Sequence, residues 1–418
     1  MNVLIKSATI LDSKSDFNNT TQDILIEKGR ISKIGKSIKN TNNYKEINLE
    51  NLHISQGWFD SSVCFGEPGF EDRETINNGL KTAAKSGFTT VVLQPNTYPI
   101  IDTKADIAFV KMKAQNNAVN LLPIGALTKN SESVDLAELF DMTSAGAVAF
   151  SDYKKPITNP NLLKIALQYA SNFDGLVCSF PLENRIAGQG VMNENIISTT
   201  LGLKGNPNLA EALQVARDLY ILEYTGGKLH IPTISSAEAV ELIRNAKKKK
   251  LNITCSVAIH NLCLTDSALE DFDTRFKVLP PLRTQNDVNA LIKGLKDGTI
   301  DMVTSDHNPI TIENKKVEFD YADYGTIGLE SAFGALQTIF STKKTIKLLT
   351  QGKGRFNVET LIINEGNTAN LTLFNPDTKY TFNTKNIISK SKNSLFIEKE
   401  LKGNVYGVIA NNKMILQK

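Results

Sequence analysis

A proton relay, a nucleophile or a metal site needs particular side chains close together, and this chain offers few of them. Asp306 and His307 follow an apolar run at 300–304, where a carboxylate beside an imidazole could act as acid or base. Each also has a plainer reading: Asp306 as a structural hydrogen-bond partner for a neighbouring loop, His307 as packing behind a rim. Cys64 could be a nucleophile if a base lowered its pKa. No histidine is evidently placed to do so, and a buried, inert thiol is the simpler expectation. His230 and His260 read as core or rim packing, and His53 as structural.

These groups depend on elements that can be read from periodicity. From His53 onward, short apolar runs are each followed by a longer stretch of helical spacing, the signature of repeated βα units. The strands are expected at 54–65, 89–94, 121–126, 146–151, 176–180, 229–234, 253–259 and 300–305. About eight parallel strands close a barrel, with its working groups at their carboxyl ends. Helices are expected at 74–86, 159–171, 209–223, 236–248 and 285–296, from apolar residues three and four apart.

Both chain ends are different. Residues 2–36 carry β-forming runs such as Val3-Leu4-Ile5 and Asp23-Ile24-Leu25-Ile26, with Gly29 and Gly35 marking turns, and after Glu365 the β texture returns. The expected architecture is an α/β (β/α)8 TIM-type barrel over 53–364, with a small β-sandwich module formed by 1–52 together with 365–418. At the strand ends stand Asp60, Ser62 and Cys64, then Asp152-Tyr153, Phe180-Pro181, Thr233 and Ser305-Asp306-His307. Imidazole is nearly absent from that face.

The 47 basic and 44 acidic residues leave a net charge of +3, far from the positive field of a nucleic-acid binder. The run Lys247 to Lys250 reads as a solvated helix end or, alternatively, a basic docking patch. Four scattered cysteines without a C-x-x-C pair suit a reducing compartment. The start lacks the pattern of a secretory signal, and no apolar run approaches a membrane span. A cytoplasmic protein without nucleic-acid or membrane contacts is expected.

An ordered series of short motifs then narrows the reading. Glu67-Pro68-Gly69-Phe70-Glu71, Gly87-Phe88-Thr89-Thr90-Val91-Val92 and Pro95-Asn96-Thr97 come first. Ala149-Phe150-Ser151-Asp152, Val215-Ala216-Arg217-Asp218, Thr225-Gly226, Pro280-Pro281-Leu282-Arg283 and Asp297-Gly298-Thr299-Ile300-Asp301 follow, leading to Ser305-Asp306-His307. Along almost the whole chain this series resembles dihydroorotase of the amidohydrolase superfamily, a zinc-dependent family in which metal lowers the pKa of a bound water to about 7.

The resemblance implies a ligand set that this chain replaces. Ser62 and Cys64 stand where the family has its first-strand histidines, Tyr153 for the bridging acid, Phe180 for the fifth-strand histidine and Thr233 for the sixth. Asp306 alone of the set remains, as a vestigial catalytic residue. Among substrate contacts Asn96 matches, whereas Gly66, Leu279 and Ile310 replace the family's arginine, asparagine and histidine. Losing most ligands should abolish metal occupancy, so no cofactor and no ring hydrolysis are expected. The resemblance implies a structural or regulatory partner, of aspartate carbamoyltransferase by analogy, and a homo-oligomer. Two alternatives stay open: a cyclic amidohydrolase with altered or metal-independent chemistry using Asp306, Asn96 and Cys64 in the space left by Gly66, and a sensor of pyrimidine precursors.

Overall fold

Alternating apolar runs and capped helices build a closed barrel in this computed structural model, which describes residues 1–417. Its strands are Trp58–Val63, Phe88–Leu93, Asn120–Pro123, Leu176–Cys178, Lys228–Ile231, Ile253–Ala258 and Met302–Thr304. The first three form one parallel sheet and the last four another. Two seams join them. At the first, Phe150 bridges Gly125 on one side and Val177 on the other. At the second, Val63 bridges His307, and the Cys64 N–H donates to the His307 carbonyl at 2.7 Å. Asp60 reinforces this second seam, its carboxylate accepting from the Thr304 hydroxyl at 2.5 Å and the Ser305 N–H at 3.0 Å.

Two expected strands differ in form. The run at 146–151 contributes only an extended segment around Phe150, because helix Leu139–Ala145 ends in a left-handed Gly146 just before it. The run at 54–65 is cut at Gly57. His53–Gln56 pairs with Leu371–Thr381 in the terminal sheet, while Trp58–Val63 enters the barrel. A Cβ at Gly57 would lie 1.9 Å from the Asn370 side chain, so only glycine lets the chain pass between the two layers.

The chain ends meet in one eight-stranded sheet that includes Val3–Ile10, Thr21–Glu27, Arg30–Gly35, His53–Gln56, Leu371–Thr381, Glu400–Ala410 and Lys413–Leu416. Val3, Ile5, Ile24, Ile26, Leu371 and Leu373 fill its core.

Caps written into the sequence fix the helices. Thr75 caps Ile76–Lys85, Ser236 caps Ala237–Lys248, and Thr284 with Asp287 forms a capping box on Gln285–Asp297. In the basic run, Lys247 pairs with Asp301 and Lys249 with Glu223, consistent with a solvated helix end. No helix among the described residues is long and apolar enough to cross a membrane.

Trp58 joins the two layers. Fully buried, it packs on Phe88, Phe333 and Phe374 with ring centroids 4.8–6.0 Å apart, and its indole N–H donates to the Ser55 hydroxyl at 2.9 Å. Trp58→Ala is expected to lower unfolding stability by about 3–5 kcal/mol in urea denaturation; a loss below about 1 kcal/mol would show that the layers do not depend on it.

Candidate active site at the barrel mouth

Carboxyl ends of barrel strands aim side chains at a common point, and here sharp turns sharpen that aim. Tyr153, Thr233 and Asp306 all take left-handed backbone conformations, with φ of 56°, 48° and 50°. For β-branched Thr233 this is a strained state, held in place because its N–H donates to the Ser256 hydroxyl at 3.1 Å. Together with Ser62, Phe180 and Lys154, these residues line a cavity of about 20 Å³ inside the mouth, room for roughly one water.

The polar centre of the site is an ion pair. Lys154 Nζ lies 2.8 Å from Asp306 Oδ2, with the two side chains only 10% and 2% exposed. Burial raises the Asp306 carboxyl above its ordinary range while the Lys154 ammonium opposes the rise. Lys154 also sits 5.4 Å from the centre of the Tyr153 ring. The other Asp306 oxygen and the Tyr153 hydroxyl are buried without protein hydrogen-bond partners.

Periodicity and motif matching both passed over Lys154, because a lysine is not a ligand type in the pattern sought. Its signal was position, one residue beyond Tyr153 at the end of the fourth barrel segment.

The remaining candidates divide cleanly. Asp152 faces away from the cavity, accepting from the Thr128 N–H at 2.9 Å and hydroxyl at 2.6 Å. Cys64 is buried near Tyr153, Lys154 and Asp306, and burial pushes its thiol up to about 11, which leaves it un-ionised near neutral pH. Asn96 is half-buried outside the cavity lining, its amide 3.4 Å from the Asn308 side-chain oxygen. Ile310 is buried and does not line the cavity.

The histidines are structural in their contacts. His307 Nδ1 accepts from the Gly328 and Leu329 N–H groups, the ring is fully buried, and burial pushes its pKa down to about 4. It therefore forms no relay with Asp306. His230 contacts the Thr254 and Ser256 hydroxyls, and burial lowers both His230 and His260 to about 3. His53 belongs to the terminal sheet.

The space expected at Gly66 is filled. A Cβ there would approach the Phe70 carbonyl to 2.4 Å, and the Phe70 N–H donates back to the Gly66 carbonyl at 2.7 Å. The loop has closed around glycine, which removes the room that altered chemistry would need at this position.

A divalent ion fits these side chains poorly. Hydroxyls, phenyl rings, a thiol and one imidazole, that of His230, whose two nitrogens already contact the Thr254 and Ser256 hydroxyls, surround one carboxylate paired with an ammonium, and no group of three histidine, cysteine, aspartate or glutamate residues arranged for a metal occurs among the described residues.

Comparison with known proteins sets this mouth in context. The chain matches the dihydro-orotase-like family over residues 53–239. It is 38% identical over 424 residues to a dihydroorotase of Pelotomaculum thermopropionicum, covering 100% of this chain and 99% of that one. With a dihydroorotase of Ruminiclostridium cellulolyticum it shares 40% identity over 406 residues, covering 95% and 94%. In fold it is similar to L-hydantoinase from Arthrobacter aurescens, with a TM-score of 0.85, 20% identity and coverage of 100% and 96%.

The expectation that the protein takes no cofactor is corrected by these matches. The relatives are metal-dependent amidohydrolases, and a missing donor cluster in the structure does not by itself establish that metal is absent. Full-length identity near two-fifths, carried on the same barrel, makes the chain a member of the dihydroorotase family of pyrimidine biosynthesis.

Proposed function

We propose that this family member does not open the dihydroorotate ring and instead serves as a structural or regulatory partner in pyrimidine synthesis, with aspartate carbamoyltransferase as the partner. The Lys154–Asp306 ion pair carries this reading. In the family's reaction the aspartate must be free to exchange a proton; here it is held by an ammonium inside a mouth with about 20 Å³ of space, against the several hundred Å³ of an ordinary ligand pocket. A cyclic amidohydrolase with altered or metal-independent chemistry has less support, since the Gly66 loop is closed and the Cys64 thiol stays protonated.

An exposed apolar stripe supports the partner role. Leu209, Leu213, Tyr220 and Tyr224 follow one face of helix Asn208–Thr225, with Tyr220 and Tyr224 more than 70% exposed, and Ile165 and Tyr169 are exposed on the neighbouring helix Pro160–Ser171. Apolar surface of this kind on a soluble barrel marks a protein-binding face, and tyrosines are favoured anchors in such contacts. Mixed at micromolar concentration, the chain and aspartate carbamoyltransferase are expected to co-elute at a fixed ratio in size-exclusion chromatography, with Y220S/Y224S weakening association about tenfold or more. Separate elution of the wild-type proteins would remove the partner from this reading.

The ion pair makes a prediction with a definite sign. Because burial lifts the folded pKa of Asp306 above the unfolded value, the carboxyl favours the fold at low pH, and this contribution is lost as pH rises through the folded value. Without the ammonium that loss grows. Lys154→Met is expected to cost about 3–5 kcal/mol at about pH 8 and distinctly less at about pH 5, measured by urea denaturation at both. An equal cost at the two pH values would contradict a buried pair.

A further inference from the structure

A group of lysines without acidic partners lies away from the barrel mouth. A cleft of about 580 Å³ opens between the terminal sheet and the segment that follows the last barrel strand. One wall is Leu11 to Lys14, Asn18, Asn19 and Gln56; the other runs from Lys343 through Lys347 to Gly354. Gln56 precedes the start of the first barrel strand, so the cleft lies about 20 Å from the mouth, the length of a six-residue strand.

Four lysines line this space and one acid. Lys14, Lys343 and Lys347 are exposed, and their ammonium groups have neither a carboxylate nor a hydrogen-bond partner among the described residues. Lys353 is different, being 4% exposed, with its ammonium donating to the Gly57 carbonyl at 2.7 Å. Burial lowers its pKa to about 8, with the charge of Asp12 opposing the shift. Asp12 itself is engaged, accepting from the Gln56 side chain and from the Lys14 and Ile363 N–H groups at 2.9–3.1 Å.

Like charges gathered on one concave surface repel one another unless an anion offsets them. The chain's net charge is only +3, so acids nearly balance bases over the whole chain, whereas this cleft sets four lysines against one acid. The size falls within the range of small-molecule sites. Side-chain amides of Asn18, Asn19, Gln56 and Gln351 and the apolar patches of Leu11 and Ile346 could hold an uncharged part of the same ligand.

We propose that this cleft binds a phosphate-bearing small molecule, with Lys14, Lys343 and Lys347 holding the phosphate and Lys353 supplying charge from the floor. Binding here would join the terminal sheet to the last helix of the barrel and stiffen the seam around Gly57. The site is independent of the mouth and needs no chemistry there.

Isothermal titration calorimetry on the full chain, with inorganic phosphate, pyrophosphate and uridine 5′-monophosphate as separate probes, tests the proposal. Saturable one-to-one binding of at least one probe is expected, with a rise in melting temperature at saturation. Stronger binding of the nucleotide than of both inorganic probes would mean that the amide wall contributes; equal binding would assign the site to the phosphate group alone. K343A/K347A is expected to weaken binding about tenfold or more with an unchanged melting temperature in the absence of ligand. K248A/K250A, which removes the same charge elsewhere, should leave binding unaltered. No saturable binding at millimolar probe, or equal weakening by both double variants, would overturn the proposal.

Discussion

A carboxylate taken out of water must find an opposite charge or give up its own, and the barrel mouth is organised by that requirement at Asp306. The aspartate is kept on a left-handed turn pointing inward, and Lys154 meets it from the end of the fourth barrel segment. Once an ammonium occupies this position, the surrounding hydroxyls and aromatic rings can close in. Tyr153 lies under the lysine, Phe180 and Thr233 fill the sides, and the remaining space holds little more than a water. The pair thus accounts for a mouth that is polar yet closed.

The frame around that mouth retains the geometry of a working barrel. Thr233 holds its strained left-handed turn, and Asp60 stitches the first strand to the last. A closed barrel presents its outer helices rigidly. That rigidity suits both an apolar helical face and a charged cleft at the opposite end.

Much of the architecture was legible in the sequence, since burial on both faces writes parallel strands as continuous apolar runs and capping residues announce helix starts. The break at Gly57 was not, because an apolar run looks the same whether it serves one sheet or two; only the closeness of Asn370, more than 300 positions away, requires it. In the site, Ser62, Tyr153, Phe180 and Thr233 could be placed at the strand ends by position, and these residues do converge. Lys154 could not be paired with Asp306 across 152 positions without the fold. Inferring that no cofactor is used went further than missing side chains allow, as the full-length kinship with metal-dependent hydrolases makes plain.

One assay bears most directly on the closed mouth: ring opening of dihydroorotate by the purified chain, supplied with zinc and followed by the loss of substrate over a range of protein concentrations. A rate indistinguishable from the uncatalysed background is expected for wild type and for Asp306→Asn alike. Turnover that rises in proportion to the protein and disappears in Asp306→Asn would contradict a mouth closed to this reaction.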